Sequence, residues 1–167
     1  MEGKSGEVYA LPRLQGWMSE RHKKVKTLYQ KTPPDVWTEH VMAVKQAMEQ
    51  SMPEDCDFDY VLFNRYRNGD DKIGFHRDDE AEGVSAKGIP KSFIGSISIG
   101  ATRTFILRNN HKTKDSEGRM RQAKLEFPMT SGYLIIMCGE TQNNWYHAVP
   151  AEPEIKEARI NLTFRVA

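Results

Sequence analysis

Arg159-Ile-Asn-Leu-Thr-Phe-Arg-Val166 alternates without a break. Successive side chains of an extended chain point to opposite sides. Ile160, Leu162, Phe164 and Val166 therefore share one face, and Arg159, Asn161, Thr163 and Arg165 the other. The same period of two recurs upstream. Phe58–Tyr66, Ser92–Ile99, Thr102–Arg108, Lys124–Phe127 and Gly132–Met137 read as strands, separated by Gly, Asn, Asp and Pro clusters. Before them Trp37, Val41, Val44 and Met48 recur at helical spacing. Thr32-Pro-Pro-Asp35 is expected to open that helix, with Thr32 as cap, Pro33 at the first helical position and Asp35 as capping-box acid; Met52-Pro53 ends it. Many short strands after one helix predict an α+β chain, mostly β, a sandwich or jelly roll with the helix outside. The first thirty residues read as irregular and polar, and Asn109–Gln122 as a long, basic, mobile loop.

A chain of 167 residues suits one domain with one core, either a complete small protein or a catalytic domain of a longer one. A net charge of +1 does not announce a nucleic-acid binder. Cys56 and Cys138 are not spaced as a metal pair, and two cysteines make a weak disulfide scaffold, so an intracellular, reducing compartment is expected. Met1 to Ala10 lacks the apolar run of a signal peptide, and no stretch is long enough to span a membrane. The basic run Arg21, His22, Lys23, Lys24, Lys26, Lys31 reads as a solvated loop or as phosphate contacts. No apolar interface patch is legible, so a monomer is expected.

Phe75-His-Arg-Asp78 carries His76 and Asp78 two apart, so in an extended segment an imidazole and a carboxylate face one point. His147 follows much later, in Asn144-Trp-Tyr-His147. Two histidines and one carboxylate form the facial triad of non-haem iron(II) oxygenases, which leaves positions open for co-substrate and oxygen. The same residues also fit a hydrogen-bonded turn pair plus a lone histidine. Arg159 and Arg165 on the polar face of the last strand are set to address opposite ends of a small dianion, with Asn161 and Thr163 as neutral partners between them; a solvated strand face is the other reading. Asn64 and Tyr66 share a face and both can donate to an oxyanion, although Tyr66 also suits a core.

Taken in order, Asn64-Arg-Tyr66, Ile73-Gly-Phe-His-Arg-Asp-Asp-Glu80, Ser96-Ile-Ser-Ile-Gly-Ala-Thr-Arg103, Trp145-Tyr-His147 and Arg159-Ile-Asn-Leu-Thr-Phe-Arg165 resemble the AlkB family of nucleic-acid dealkylases, from about Leu11 to Arg165. The Asp-Asp-Glu ending and the short run from His147 to Arg159 look more like its eukaryotic-type DNA repair members. The resemblance implies a double-stranded β-helix (jelly roll) core in a single domain, 1–167, with about 1–31 as nucleotide-recognition lid and 32–167 as helix plus core. It implies His76, Asp78 and His147 as iron(II) ligands. Asn64, Tyr66, Arg159, Thr163, Arg165 and, more weakly, Asn161 become 2-oxoglutarate contacts. Asp79 and Glu80 would lie near the substrate base, and Trp17 or Tyr29 would stack on it from the lid.

The activity so implied is oxidative demethylation of N-alkylated bases such as 1-methyladenine and 3-methylcytosine, with O2 as oxidant and formaldehyde as product. A base within a duplex is out of reach, so the target is flipped or already single-stranded. Phosphate contacts are expected from residues 21–31 and from Arg108, Lys112, Lys114, Arg119, Arg121 and Lys124. Ala151-Glu-Pro-Glu-Ile-Lys-Glu157 is acidic where a duplex-specialised relative is basic, which favours single strands. Three other readings stay open: the same chemistry on RNA or protein, a catalytically silent jelly-roll binding module, and a cupin-like metal protein. The nucleus is the expected compartment for a eukaryotic host, the cytoplasm otherwise.

Overall fold

The structure, a computed structural model, describes residues 12–19, 33–52, 56–78, 88 and 90–167. In chain order its elements are β1 (Leu14–Ser19), β2 (Asp35–Val36), α1 (Glu39–Glu49), β3 (Tyr60–Tyr66), β4 (Ile73–His76), β5 (Ile94–Gly100) and β6 (Arg103–Lys114). β7 (Met120–Met129), β8 (Leu134–Met137), α2 (Thr141–Asn144), β9 (Trp145–Val149) and β10 (Arg159–Arg165) complete it. The strands form two sheets, one ordered β2-β1-β3-β10-β5-β8 and the other β4-β9-β6-β7. The mostly-β jelly roll with an outer helix is borne out.

β10 runs antiparallel between β3 and β5 in the larger sheet. Its apolar face turns outward: Leu162 and Phe164 pack under α1 with Met48, Phe58 and Val61, and Trp37, Val41 and Val44 extend that cluster. Trp37 stacks on Phe164 at 6.1 Å between ring centroids. The helix comes close because Gly95 has no side chain; a Cβ there would lie 2.2 Å from the Met48 sulfur. The polar face of β10 turns toward the second sheet. At one end of this interior Tyr66, Ile94, Phe105, Met129, Met137 and Val149 form the inter-sheet core.

Several elements differ from the sequence expectations. α1 opens at Glu39, where the Thr38 hydroxyl accepts from the Val41 N–H, and not at Thr32-Pro-Pro-Asp35. Asp35–Val36 instead pairs with Met18 and Ser19, a long-range contact that no local pattern announces. Leu14–Ser19, expected to be irregular, is a strand of the larger sheet paired antiparallel with β3. Asn109–Gln122 is not a loop: β6 and β7 pair as a long hairpin as far as Lys114 and Met120. Its turn is built on Asp115, whose carboxylate accepts from the backbone N–H groups of Glu117 and Arg119 and from the side chains of Arg119 and Arg121. Gly118 supplies the positive φ of +76° that closes it.

Candidate metal and co-substrate site

β4 ends at His76, and His147 lies opposite it on β9 in the antiparallel ladder. The two imidazole centroids are 4.2 Å apart. Asp78, just past β4, sends Oδ1 to within 3.8 Å of His76 Nε2 and Oδ2 to within 3.8 Å of His147 Nε2. One ligand atom from each of the three residues lies within 4.8 Å of the others. At these separations the groups do not hydrogen-bond to one another, which leaves room for an ion between them. Asp78 Oδ2 is buried and has no hydrogen-bond partner. The donor set of two imidazoles and one carboxylate therefore fits iron(II), and the triad reading prevails over the turn pair.

Neighbouring groups prepare these ligands. The Nδ1 of His76 is 2.9 Å from the Gly74 carbonyl, which can only accept; Nδ1 carries the proton and Nε2 keeps its lone pair. Burial pushes the His147 imidazole down to about 4, only partly offset by Asp78, so it is neutral at physiological pH. Burial also raises the Asp78 carboxyl, but Arg165 and the two imidazoles outweigh it and hold the group below its usual range. The Asp78 N–H donates to Gln142 Oε1 at 3.0 Å, fixing the ligand from α2.

Beside the triad a cleft is lined by Asn64, Tyr66, Ser96, Arg159, Asn161, Thr163 and Arg165 together with His76, Asp78 and His147. Every expected metal and co-substrate residue thus meets in one place. Arg159 is 2 % exposed. Its Nη2 donates to Ser98 Oγ at 2.6 Å and to Asn161 Oδ1 at 2.8 Å, and its guanidinium lies over the Tyr66 ring. Among the described residues no carboxylate pairs with it, and its Nη1 is buried without a hydrogen-bond partner. A buried cation left this way is costly unless an anion completes it. The cleft fits a small carboxylate.

Two expected contacts also have partners within the protein. Arg165 donates from Nη2 to Asp78 Oδ1 at 2.9 Å, so it braces the metal-binding carboxylate while lining the cleft. Six residue steps along the strand separate it from Arg159, about 20 Å between α-carbons. Asn161 is occupied on both sides: its Oδ1 accepts from Arg159 and Ser96, and its Nδ2 donates to Thr163 Oγ1. It orders the row of polar groups, with one of its two amide N–H donors committed to Thr163.

Several participants escaped the sequence reading. Ser96 and Ser98 sit on the site face of β5; their alternation in Ser96-Ile-Ser-Ile was the available signal. Arg13, Gln15 and Gln142 gave none. Arg103 is 1 % exposed and joins the Glu152 carboxylate to the carbonyls of Asn68, Gly69, Asp71 and Pro150. Glu152 is thus a structural partner rather than a surface acid of the loop after β9. Trp17 lies on β1, on the sheet face of Asn64 and Leu62, and is 6 % exposed, packed with Tyr60 and Leu62. Tyr29, Asp79, Glu80 and the basic run 21–31 lie outside the described residues.

A jelly roll with two imidazoles and one carboxylate at an anion-binding cleft has the architecture of mononuclear non-haem iron oxygenases. A family model described as the 2OG-Fe(II) oxygenase superfamily matches residues 3–165, and the chain belongs to that superfamily, whose cofactor is iron(II) and whose co-substrates are 2-oxoglutarate and O2. Its resemblance to the AlkB group within it is borne out by individual relatives. The DNA oxidative demethylase ALKBH2 of Homo sapiens is 43 % identical over 111 residues, covering 65 % of this chain and 39 % of that protein. The alpha-ketoglutarate-dependent dioxygenase alkB homolog 3 of Homo sapiens is 34 % identical over 158 residues, 95 % of this chain and 52 % of that protein. The Arabidopsis thaliana ALKBH2 is 32 % identical over 123 residues, 65 % of this chain and 38 % of that protein. The chain therefore spans about half, or less, of the length of these relatives. Among solved structures, a cupin domain of Bordetella pertussis aligns with a TM-score of 0.37 at 11 % identity, over 69 % of this chain and 88 % of that one.

Proposed function

We propose that this chain is an oxidative demethylase of N-alkylated nucleobases in DNA, single strands before duplex, acting as a monomer inside the cell, in the nucleus of a eukaryotic host. The observation that carries the reading is the joining of two sites in one cleft: the His76, Asp78, His147 triad and the buried, anion-seeking Arg159. The names of the relatives supply the substrate class. Iron(II), when bound, supplies the oxidising power drawn from O2 and 2-oxoglutarate. The protein's own part is to hold and orient. Neutral His147, the Nε2 of His76 and the ionised Asp78 offer lone pairs at three corners. Arg159 neutralises one carboxylate of the co-substrate, with Tyr66, Asn64 and Thr163 supplying neutral donors. Asp79 and Glu80 follow Asp78 directly and would favour a cationic methylated base. The assignment of residues 1–31 as lid, with Trp17 or Tyr29 as stacking aromatic, belongs to the same proposal.

A methylated oligonucleotide offered as single-stranded DNA, duplex DNA and single-stranded RNA tests it, with iron(II), ascorbate and 2-oxoglutarate present. Formaldehyde release and loss of the methyl mass are expected, greatest on single-stranded DNA and abolished in His147→Ala. Succinate formation with no demethylation of any oligonucleotide would overturn the substrate assignment.

A further inference from the structure

We propose that Arg13 is a positioning residue for the co-substrate cleft, orienting the Asn64 amide so that its NH2 group donates into the cleft. The inference rests on the 2-oxoglutarate reading above. Asn64 on β3 stands between Gln15 on β1 and Asn161 on β10 in the ladder, and it lines the cleft. A carboxamide has an acceptor end and a donor end, and its neighbours decide which way it turns. From the β1 side two donors converge on Oδ1: Arg13 Nε at 2.7 Å and Gln15 Nε2 at 3.1 Å. The flipped amide would set NH2 against both of them. With Oδ1 committed to β1, the NH2 group is the part of Asn64 left for an acceptor in the cleft, and a carboxylate is such an acceptor. A charged donor on Oδ1 also polarises the amide and makes its N–H groups stronger hydrogen-bond donors.

Arg13 is itself held in place. Its Nη1 reaches the Lys72 carbonyl at 3.5 Å, and the Lys72 N–H donates to the Pro12 carbonyl at 3.0 Å. The start of β1 is thereby tied to the residue before β4, the strand that ends in His76. Arg13 also acts on Tyr66, the other β3 donor: burial raises that phenol, and the charges of Arg159 and Arg13 oppose the rise. One arginine outside the cleft thus bears on both β3 donors.

The test is a double-mutant cycle read by calorimetry of 2-oxoglutarate binding to the iron(II)-loaded protein without oxygen, where no turnover occurs. Arg13→Met is expected to raise the Kd about tenfold in the wild-type background and by less than about twofold in Asn64→Ala. Gln15→Ala is expected to give a smaller loss that likewise vanishes in Asn64→Ala, and it decides the matter alone if Arg13→Met does not fold. An unchanged Kd in both variants, or an equal loss in the Asn64→Ala background, would overturn the inference. Failure of the unsubstituted protein to bind 2-oxoglutarate would instead remove the co-substrate reading itself, and that result needs no variant.

Discussion

Arg159 has five N–H donors, partners of its own chain for some of them, and no carboxylate partner among the described residues. Such a residue is poor for stability and useful for binding, which separates two measurable quantities. Arg159→Met is expected to leave the thermal stability of the ligand-free protein within about 1 kcal/mol of the parent, because Ser98 can reorient and Asn161 keeps Ser96. The same change is expected to weaken 2-oxoglutarate binding about thirtyfold or more, since it removes one partner of a buried charge pair. Calorimetry and thermal melts on one preparation check both; a destabilised variant with unimpaired binding would make Arg159 a structural residue. At this scale the sequence was informative where chemistry depends on residue type and period. His76 with Asp78, and the polar face of β10, were legible because a period of two gathers them before any fold is known; His147 was legible only as the residue type that completes a facial triad. Arg13 and Gln142 were not, because their roles exist only through contacts across 51 and 64 residues of chain.

β6 and β7 explain the largest misreading. Their outer halves pair beyond the body of the sandwich, where residues on both faces are exposed, so the apolar alternation fades while the hydrogen-bond ladder continues. Hydrophobic period reports burial, and a hairpin that buries nothing gives no such signal. β1 was hidden for a related reason: only Trp17 and Ser19 of its six residues are fully buried. The hairpin also sorts the cations once counted together as phosphate contacts. Arg119 and Arg121 are engaged by Asp115, and Lys124 pairs with Glu126, whereas Lys112 and Lys114 have no ion pair among the described residues. The double variant Lys112→Glu, Lys114→Glu is expected to lower affinity for single-stranded DNA and reduce its salt dependence by about two counterions. Arg119→Gln with Arg121→Gln is expected to do much less. Fluorescence anisotropy across a salt series separates them, and equal effects of the two pairs would contradict this sorting of the charges.

Across the whole molecule, the metal strands are pinned at the end remote from the ligands. The β3–β4 and β9–β10 connections are held together by Arg103, and Gly69 lets them touch: a Cβ there would lie 1.6 Å from the Glu152 carbonyl oxygen. Glu152 completes the clamp. Burial alone would raise its carboxyl, but Arg103 and Thr104 hold it below the usual range. A depressed carboxyl stabilises the fold above its unfolded value and loses that contribution as pH falls through its folded value. Wild type is therefore expected to lose more stability between neutral pH and about pH 3 than Glu152→Gln, measured by urea unfolding at each pH. Identical acid limbs would remove Glu152 from the clamp. The overall architecture was legible because many short strands following one helix admit few arrangements, whereas the clamp depended on a buried arginine that reads as a surface residue until its partners are seen.

One cleft is proposed to hold iron(II) through His76, Asp78 and His147 and 2-oxoglutarate beside it through Arg159. The most direct measurement adds iron(II) and then 2-oxoglutarate to the protein under strict exclusion of oxygen and follows visible absorption. A charge-transfer band is predicted to appear only with both present, to saturate at one iron per chain, and to be absent in Asp78→Ala. Iron uptake with no band on adding 2-oxoglutarate, or a band of equal strength in Asp78→Ala, would contradict the account.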